Sequence, residues 1–493
     1  MKYVKSLDVL LKDAADSEKG LKRTLGAWSL VALGIGAIIG AGLFVRTAAA
    51  SAEHAGPAVT LSFIVAAVGC AFAGLCYAEF ASMIPIAGSA YTYSYATMGE
   101  RIAWVIGWDL VLEYALGAAT VSIAWSEYLN NLLGGAIPYQ WSHSPFETSA
   151  GGVSGIMNLP ALLILLILTL VLIKGIGESA VLNTIIVFVK VAIVLVFIYL
   201  GWGYIKPENH VPYIIPPGTP GHEGFFDYGW GGILAGSGVV FFAFIGFDAV
   251  STAAQEAKNP KRDMPIGILV SLLICTALYI LFAHVLTGIA NYTEFNTAGK
   301  EASVAYAIET HMLEYTWLAP LISIAILAGF SSVILVMLMG QSRVFYSMSK
   351  DGLVPPVFSV LHPKYKTPYK SNWLFLAFVG AFAAFVPGHV AGDMTSIGTL
   401  FAFMLVCAGI IVMRKSNPDL ARPFKTPLVP LVPILGIITC GAMIMGLGWE
   451  NWSRLLGWLA IGFVIYYGYS VKHSHVRHRQ TEVPKDPPSP PFE

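Results

Sequence analysis

Apolar residues in this chain come in long blocks separated by short polar and charged stretches. Blocks of about 18 or more mostly apolar residues mark helices long enough to cross a hydrocarbon layer. Twelve are predicted, at 27–50, 57–83, 98–132, 159–175, 181–203, 230–256, 265–290, 316–347, 372–387, 393–413, 428–447 and 452–471. The third and eighth exceed a straight crossing, so they tilt or project beyond the hydrocarbon.

Two blocks are interrupted by glycine near their middle. The first reads Gly34-Ile35-Gly36-Ala37-Ile38-Ile39-Gly40-Ala41-Gly42-Leu43-Phe44, the second Phe241-Phe242-Ala243-Phe244-Ile245-Gly246-Phe247-Asp248. Glycine is a poor helix-interior residue, and unwound backbone at membrane depth is tolerated only where it lines a cavity or is buried in protein. Gly40 and Gly246 are 206 residues apart, in the first and sixth spans. Five helices separate the two breaks, so two five-helix units lie in opposite orientations across the membrane, an inverted repeat with spans eleven and twelve appended. The chain then divides into a cytoplasmic segment 1–26, a first repeat 27–203, a second repeat 204–413, two further helices in 414–471 and a cytoplasmic tail 472–493.

Composition places this pattern in a lipid setting. Of 493 residues, 56% are hydrophobic and 12% charged. Soluble domains carry about twice that charged fraction, and a water-soluble fold of this make-up would expose excessive apolar patches. The fold class is an all-α polytopic membrane protein. All five cysteines fall inside apolar stretches, which gives no disulfide framework. Formal net charge is zero, and no nucleic-acid partner is expected. The distribution of charge is more telling: 24 of the 29 Lys and Arg collect on one side of the predicted spans. Arg46, Lys206, Lys300 and Arg454 lie on the other, and Lys190 sits inside a span. That asymmetry puts both termini in the cytoplasm of a multi-pass protein of the cell membrane. Residues 6–13 suit either an interfacial helix or a disordered end, and the Pro-rich 484–491 reads as flexible.

The two breaks carry the candidate chemistry. Beyond Ile39-Gly40-Ala41-Gly42, the following half-helix presents unpaired N–H groups and the positive end of its dipole, and the glycines let a carboxylate approach. At Phe242-Ala243-Phe244-Ile245, the preceding half-helix presents carbonyls that suit an ammonium group. Together they match the two ends of an α-amino acid. The competing interpretation of either glycine cluster is close helix packing through small residues. No phosphate loop supports direct ATP drive, and His473, His475 and His478 read as solvated tail. No enzyme chemistry, metal or cofactor is expected.

Several motifs in order resemble the amino acid–polyamine–organocation superfamily, in its cationic amino acid transporter-like branch. They are Gly-Ala-Ile-Ile-Gly-Ala-Gly-Leu-Phe at 36–44, Cys76-Tyr77-Ala78-Glu79-Phe80 with Gly88-Ser89-Ala90-Tyr91-Thr92-Tyr93, Phe242-Ala243-Phe244-Ile245-Gly246-Phe247-Asp248, Glu256-Ala257-Lys258-Asn259-Pro260, and Pro265-Ile266-Gly267. The resemblance implies the leucine-transporter-like fold, amino acid substrates and, in many bacterial members, proton coupling. Many relatives have Ser or Thr where this chain has Ala41, so backbone amides take over that hydroxyl's role.

The remaining candidates follow from burial and resemblance together. Lys190 lies too deep to snorkel and faces the bundle interior, as a proton carrier or a structural strut; in relatives a lysine at the matching position stands against the first break. Glu113, mid-span in the third helix, either pairs with a cationic substrate or stays protonated and serves neutral ones. Asp248 braces the unwound backbone or takes part in gating. Phe242 is a candidate lid over the substrate, and Glu79 with Arg343 a candidate inner gate pair. The expected function is proton-coupled import of L-amino acids, cationic (Lys, Arg, ornithine) or small neutral such as alanine, by alternating access. An exchanger, a facilitator and a non-transporting sensor are the alternatives. A small membrane-protein partner stays open.

Overall fold

The computed structural model describes residues 3–5, 25–84, 89–149, 151–175, 180–220, 222–254, 257–296 and 302–482. The segments 6–13 and 484–491 lie outside the described residues, as does Glu256. Among the described residues there is no β-strand, only isolated bridges such as Leu25 with Ala257.

The first predicted span is two pieces: α1, Ala27–Ile38, then a π turn at Gly42–Arg46 running into α2, Thr47–Ala50. The second is α3, Val59–Met83. A short α4, Ser89–Thr97, precedes the third span, and Gly99 (φ +93°) makes the corner between them, a conformation that glycine adopts without strain. The third span is α5, Glu100–Val111, a π turn at Leu112–Leu116, and α6, Gly117–Leu132. Then come α7, Leu159–Ile173, and α8, Ala180–Gly201.

The sixth span is again in two pieces: α9, Gly229–Val240, a 3₁₀ turn Phe241–Phe244, and α10, Ala249–Thr252. The expected end of this span, 256, lies outside the described residues. Next, α11, Pro260–Ile289, begins on a proline, whose missing N–H costs nothing at a helix start. The chain continues through α12, Ser303–His311, α13, Leu318–Lys350, α14, Tyr369–Phe385, and α15, Gly388–Ser416. It closes with α16, Leu431–Gly446, α17, Gly448–Ile465, α18, Val471–His473, and α19, His475–Glu482.

Among the described residues, eight helices are long and apolar enough to cross a membrane, with α1, α7 and α16 as shorter apolar helices. Their burial sorts them. In Gly229–Ser251 94% of the apolar window is buried and in Glu100–Leu132 89%, against 22% in Gly448–His473. The interior is therefore built around the second break and the α5–α6 helix, and α17 presents its apolar surface outward. Within that interior α11 packs along both α3 and α1, and α13 packs along α6. At one end, the chain entering α1 pairs with the chain leaving the second break: the Lys258 N–H donates to Leu25 O at 2.8 Å.

Candidate functional site

Both helices open where the glycines stand. Ile39 leaves helical geometry (φ −72°, ψ 106°) after its N–H closes the last turn of α1 on Ile35 O. Among the described residues the Gly40 N–H has no backbone acceptor. In the sixth span the 3₁₀ turn ends at Ile245 (ψ 134°), and Gly246 sits at φ +112°, where an L side chain would be strained.

The breaks face each other and touch twice. A Cβ built on Gly42 would lie 2.2 Å from Ala243 Cα and 2.5 Å from its nitrogen. A Cβ on Gly246 would lie 2.8 Å from Ala37 O. The bare side of Gly42 is thus filled by the other break and is not open to a ligand, which corrects one role expected for it. Gly40 turns its bare side to Val333 on α13, 3.3 Å from where a Cβ would stand. What Gly40 leaves available is its amide.

The freed carbonyls are partly taken by residues no motif had singled out. Tyr279 Oη, on α11, lies 3.0 Å from Ile38 O and 2.9 Å from Ala243 O, so one hydroxyl clasps both breaks. Phe242 O accepts the Ile245 N–H at 3.3 Å. Of the carbonyls expected to receive an ammonium group, those of Phe242 and Ala243 are therefore engaged. Those of Phe244 and Ile245 meet no backbone or side-chain donor among the described residues. Phe244 itself packs its ring against Phe63 and Tyr279, a core role more than a contact role. Phe242 is buried, 4% exposed. Beyond the first break, the π turn frees Phe44 O, and Tyr128 (3.2 Å) and Ser303 (2.7 Å) donate to it.

Lys190 is 2% exposed, and its Nζ donates to Gly36 O at 2.8 Å. In an unbroken helix the Gly40 N–H would claim that carbonyl; the break leaves it for the ammonium. The lysine stem lies along α13, where a Cβ on Gly329 would come 2.8 Å from Lys190 Cε.

Glu113 sits in the π turn between α5 and α6, and it and Asp248 are fully buried. Tyr114 Oη, the neighbour of Glu113 in that turn, donates to Asp248 Oδ2 at 2.9 Å. Asp109, one helical turn before Glu113, is buried too (1% exposed). A cavity of about 220 Å³ reaches Ala41 at the first break and follows Val45, Ala48, Ala49 and Glu53 along one face of the chain beyond it, with Thr120 and Glu127 of α6 and His389 of α15 opposite. Arg46 lines this cavity and pairs with Asp393 of α15, which Asn451 also approaches at 3.4 Å.

The expected Glu79–Arg343 pair is not the one formed. Glu79 is fully buried and takes Arg414 Nη2 at 2.8 Å, Arg414 Nε at 3.1 Å, the Thr426 N–H at 2.7 Å and Arg422 at 3.4 Å. The end of α15 and the chain just after it supply these cations and the amide. Arg46 and Asp109 carried a legible signal that the sequence reading passed over, a charge inside an apolar block. Tyr279 carried none.

The model of the amino acid permease family matches residues 25–468. The chain is 46% identical to the branched-chain amino acid permease BcaP of Bacillus subtilis (strain 168), over 94% of this chain and 96% of that protein. It is 40% identical to the methylthioribose transporter of the same organism, again over 94% and 96%. To the vacuolar cationic amino acid transporter 4 of Arabidopsis thaliana it is 37% identical, over 82% of this chain and 65% of that one. Two interior helices broken at facing glycines, in a multi-pass membrane protein matched from its first helix almost to its last, make this chain a transporter of the amino acid permease family.

Proposed function

We propose that the chain imports L-amino acids across the cell membrane by alternating access, with both termini in the cytoplasm. The supporting observation is the contact between the two breaks, beside which the Gly40 amide and the carbonyls of Phe244 and Ile245 stand without hydrogen-bond partners among the described residues, in a water-poor interior. Buried peptide groups left this way have a strong need for partners, and an α-amino acid supplies both kinds. The carboxylate goes to the amides around Gly40 and Ala41, the ammonium to the carbonyls. Twelve spans in a five-plus-five inverted repeat, with two appended, are the architecture of this reading. The reciprocal placement of Gly42 on Ala243 and Gly246 on Ala37 supports that symmetry.

Proton symport at Lys190 completes the proposal. The buried ammonium of Lys190 donates to a carbonyl of the broken helix and so is sensitive to any movement of that helix. A ligand drives the swing only by binding the two states differently.

For the substrate, cationic and small neutral side chains are joined by a branched-chain one, favoured by the 46% identity to a branched-chain permease. The methylthioribose relative shows that side-chain selectivity varies among similar chains. Uptake into proteoliposomes of a labelled panel (leucine, valine, alanine, lysine, arginine and methylthioribose) tests the reading. The expected result is saturable amino acid uptake that rises with an inward proton gradient and loses that rise in Lys190→Ala. Gradient-driven accumulation undiminished in that variant refutes coupling at Lys190. Uptake that needs internal amino acid and ignores the gradient establishes an exchanger.

A further inference from the structure

The chain between α8 and α9 is strapped across the ends of four spans. At its start, the Lys206 N–H donates to Gly288 O at 3.0 Å and Asn209 Nδ2 to the same carbonyl at 2.8 Å, at the end of α11. Tyr213 Oη then meets Thr60 Oγ1 at the start of α3. Ile215 fills the bare side of Gly56, 2.6 Å from where a Cβ would stand, and its carbonyl accepts the Gly229 N–H of α9 at 3.0 Å. At the far end of the strap, the Tyr228 N–H donates to His54 O at 2.9 Å, Tyr228 Oη to Ala52 O at 2.7 Å and His54 Nδ1 to Phe226 O at 3.2 Å. One strap thus joins the ends of both broken spans on that side to α11.

Its anchor on α11 carries two imidazoles. The rings of His210, on the strap, and His284, on α11, lie 4.6 Å apart between centroids, both half-buried. Thr287 Oγ1 directs its hydrogen to Ala283 O at 2.9 Å, so it accepts from His210 Nε2 at 3.2 Å, and the neutral His210 ring carries its proton there. Facing the pair are the Tyr213 ring, edge-on to His210 at 5.6 Å, and the Trp202 ring, 5.7 Å from His284. Lys206 and Glu208 on the same turn are exposed. No carboxylate pairs with either imidazole among the described residues to offset a positive charge. Burial, and after it the neighbouring imidazole, hold His210 below the usual histidine range. A histidine kept neutral by the fold contributes fully above its unfolded value of about 6.5 and loses that contribution as pH falls below it. The other end of the strap lacks this limit, since His54 Nδ1–H reaches Phe226 O whether its ring is neutral or charged.

We propose that His210 and His284 form an acid-released latch, which holds the strap on α11 at neutral pH and lets go when either imidazole is charged, freeing the ends of both broken spans from α11. The latch rests on the transport reading above only for the side that meets the acid and for the consequence of release. In that reading the strap faces outward, and an acid exterior loosens the outer halves of the two broken spans while it drives import.

Hydrogen–deuterium exchange of the purified full chain in lipid nanodiscs reads the latch directly, at about pH 7.5 and about pH 5, either side of the ordinary histidine value of about 6.5. With intrinsic rates corrected for pH, the Lys206 N–H is expected to be protected at the higher pH and to lose protection at the lower. The Tyr228 N–H keeps its protection at both. In His284→Gln and His210→Gln, whose side chains take up no proton in this range, the Lys206 N–H is expected to exchange alike at the two pH values. Equal protection of Lys206 in the native chain at both pH values overturns the proposal, as does the same acid loss in the variants. Loss at Tyr228 together with Lys206 marks general unfolding and overturns it too. If one variant fails to purify, the other decides alone. Counterflow of labelled leucine, with equal pH inside and outside proteoliposomes, separates the latch from the transport reading. The acid change in counterflow rate is expected to shrink in His284→Gln, and an equal change in both chains overturns the link between strap and transport. Acid release of Lys206 with no counterflow at either pH supports the latch and counts against the transport reading. Counterflow with unchanged Lys206 protection leaves that reading standing and ends the latch.

Discussion

Gly42 and Ala243 meet at backbone distance: the space where a Gly42 side chain would stand holds the Ala243 Cα and nitrogen, 2.2 and 2.5 Å away. Because the contact is backbone on one side, nothing flexible can yield to an added methyl. The two breaks therefore depend on each other's geometry, and the proposed site between them requires that contact.

Gly42→Val should separate the breaks. Overpacking of this kind costs about 1–3 kcal/mol, and a site displaced by that much free energy loses on the order of ten-fold or more in apparent affinity. A lower melting temperature and a collapsed uptake rate are the expected readings. Gly457→Ala on α17, where a Cβ meets nothing within 4 Å, should leave both unchanged. Equal effects from the two substitutions would remove the special status of the Gly42 contact.

Tyr279→Phe removes the one hydroxyl that reaches Ile38 O and Ala243 O. Two buried acceptors then lose their donor, at a cost of about 1–3 kcal/mol for a group left unsatisfied. Thermal unfolding should show the loss, and transport should fall with it, since the ring remains and only the clasp is gone. A variant with unchanged stability and uptake would show that the breaks hold without it.

Gly329→Ala tests the seat of Lys190 without touching its charge. The added Cβ would stand 2.8 Å from Lys190 Cε and push the ammonium off Gly36 O. Proton-driven accumulation should drop toward that of Lys190→Ala, with exchange of labelled for unlabelled amino acid less affected. Full gradient response in Gly329→Ala would mean that the lysine position does not matter to coupling.

On the loop between α11 and α12, Glu294 offers a pH test. Burial pushes its carboxyl up, but hydrogen bonds from Tyr306 Oη (2.8 Å), His311 Nε2 (2.9 Å) and the Asn291 N–H (2.9 Å) outweigh that and hold it below its usual range. A carboxyl depressed in the folded state contributes stability above its unfolded pKa of about 4.3 and loses it as pH falls through the folded value. Acid unfolding of Glu294→Gln should therefore lack one step of pH dependence below about pH 4.5. Identical acid profiles in the two proteins would rule out this contribution.

The sequence made the helices and both breaks legible because glycine in an apolar block is a local signal, and Lys190 because a charge there has few places to go. Partnerships across the chain had no such signal. Nothing local tells that Arg414, 335 positions from Glu79, takes that carboxylate ahead of Arg343, or that Tyr279 among 22 tyrosines clasps both breaks. The bare face of Gly42 was misread for the same reason. Glycine announces that something approaches closely, and only the fold says whether that is a ligand or another stretch of backbone.

The central claim is that the paired breaks form the amino acid site. Counterflow measures it most directly: labelled amino acid outside, the same amino acid unlabelled inside proteoliposomes, native chain against Gly42→Val and Gly457→Ala. The account predicts saturable labelled uptake in the native chain and Gly457→Ala, and none above empty liposomes in a folded Gly42→Val. Uptake in folded Gly42→Val equal to that of the native chain would contradict it.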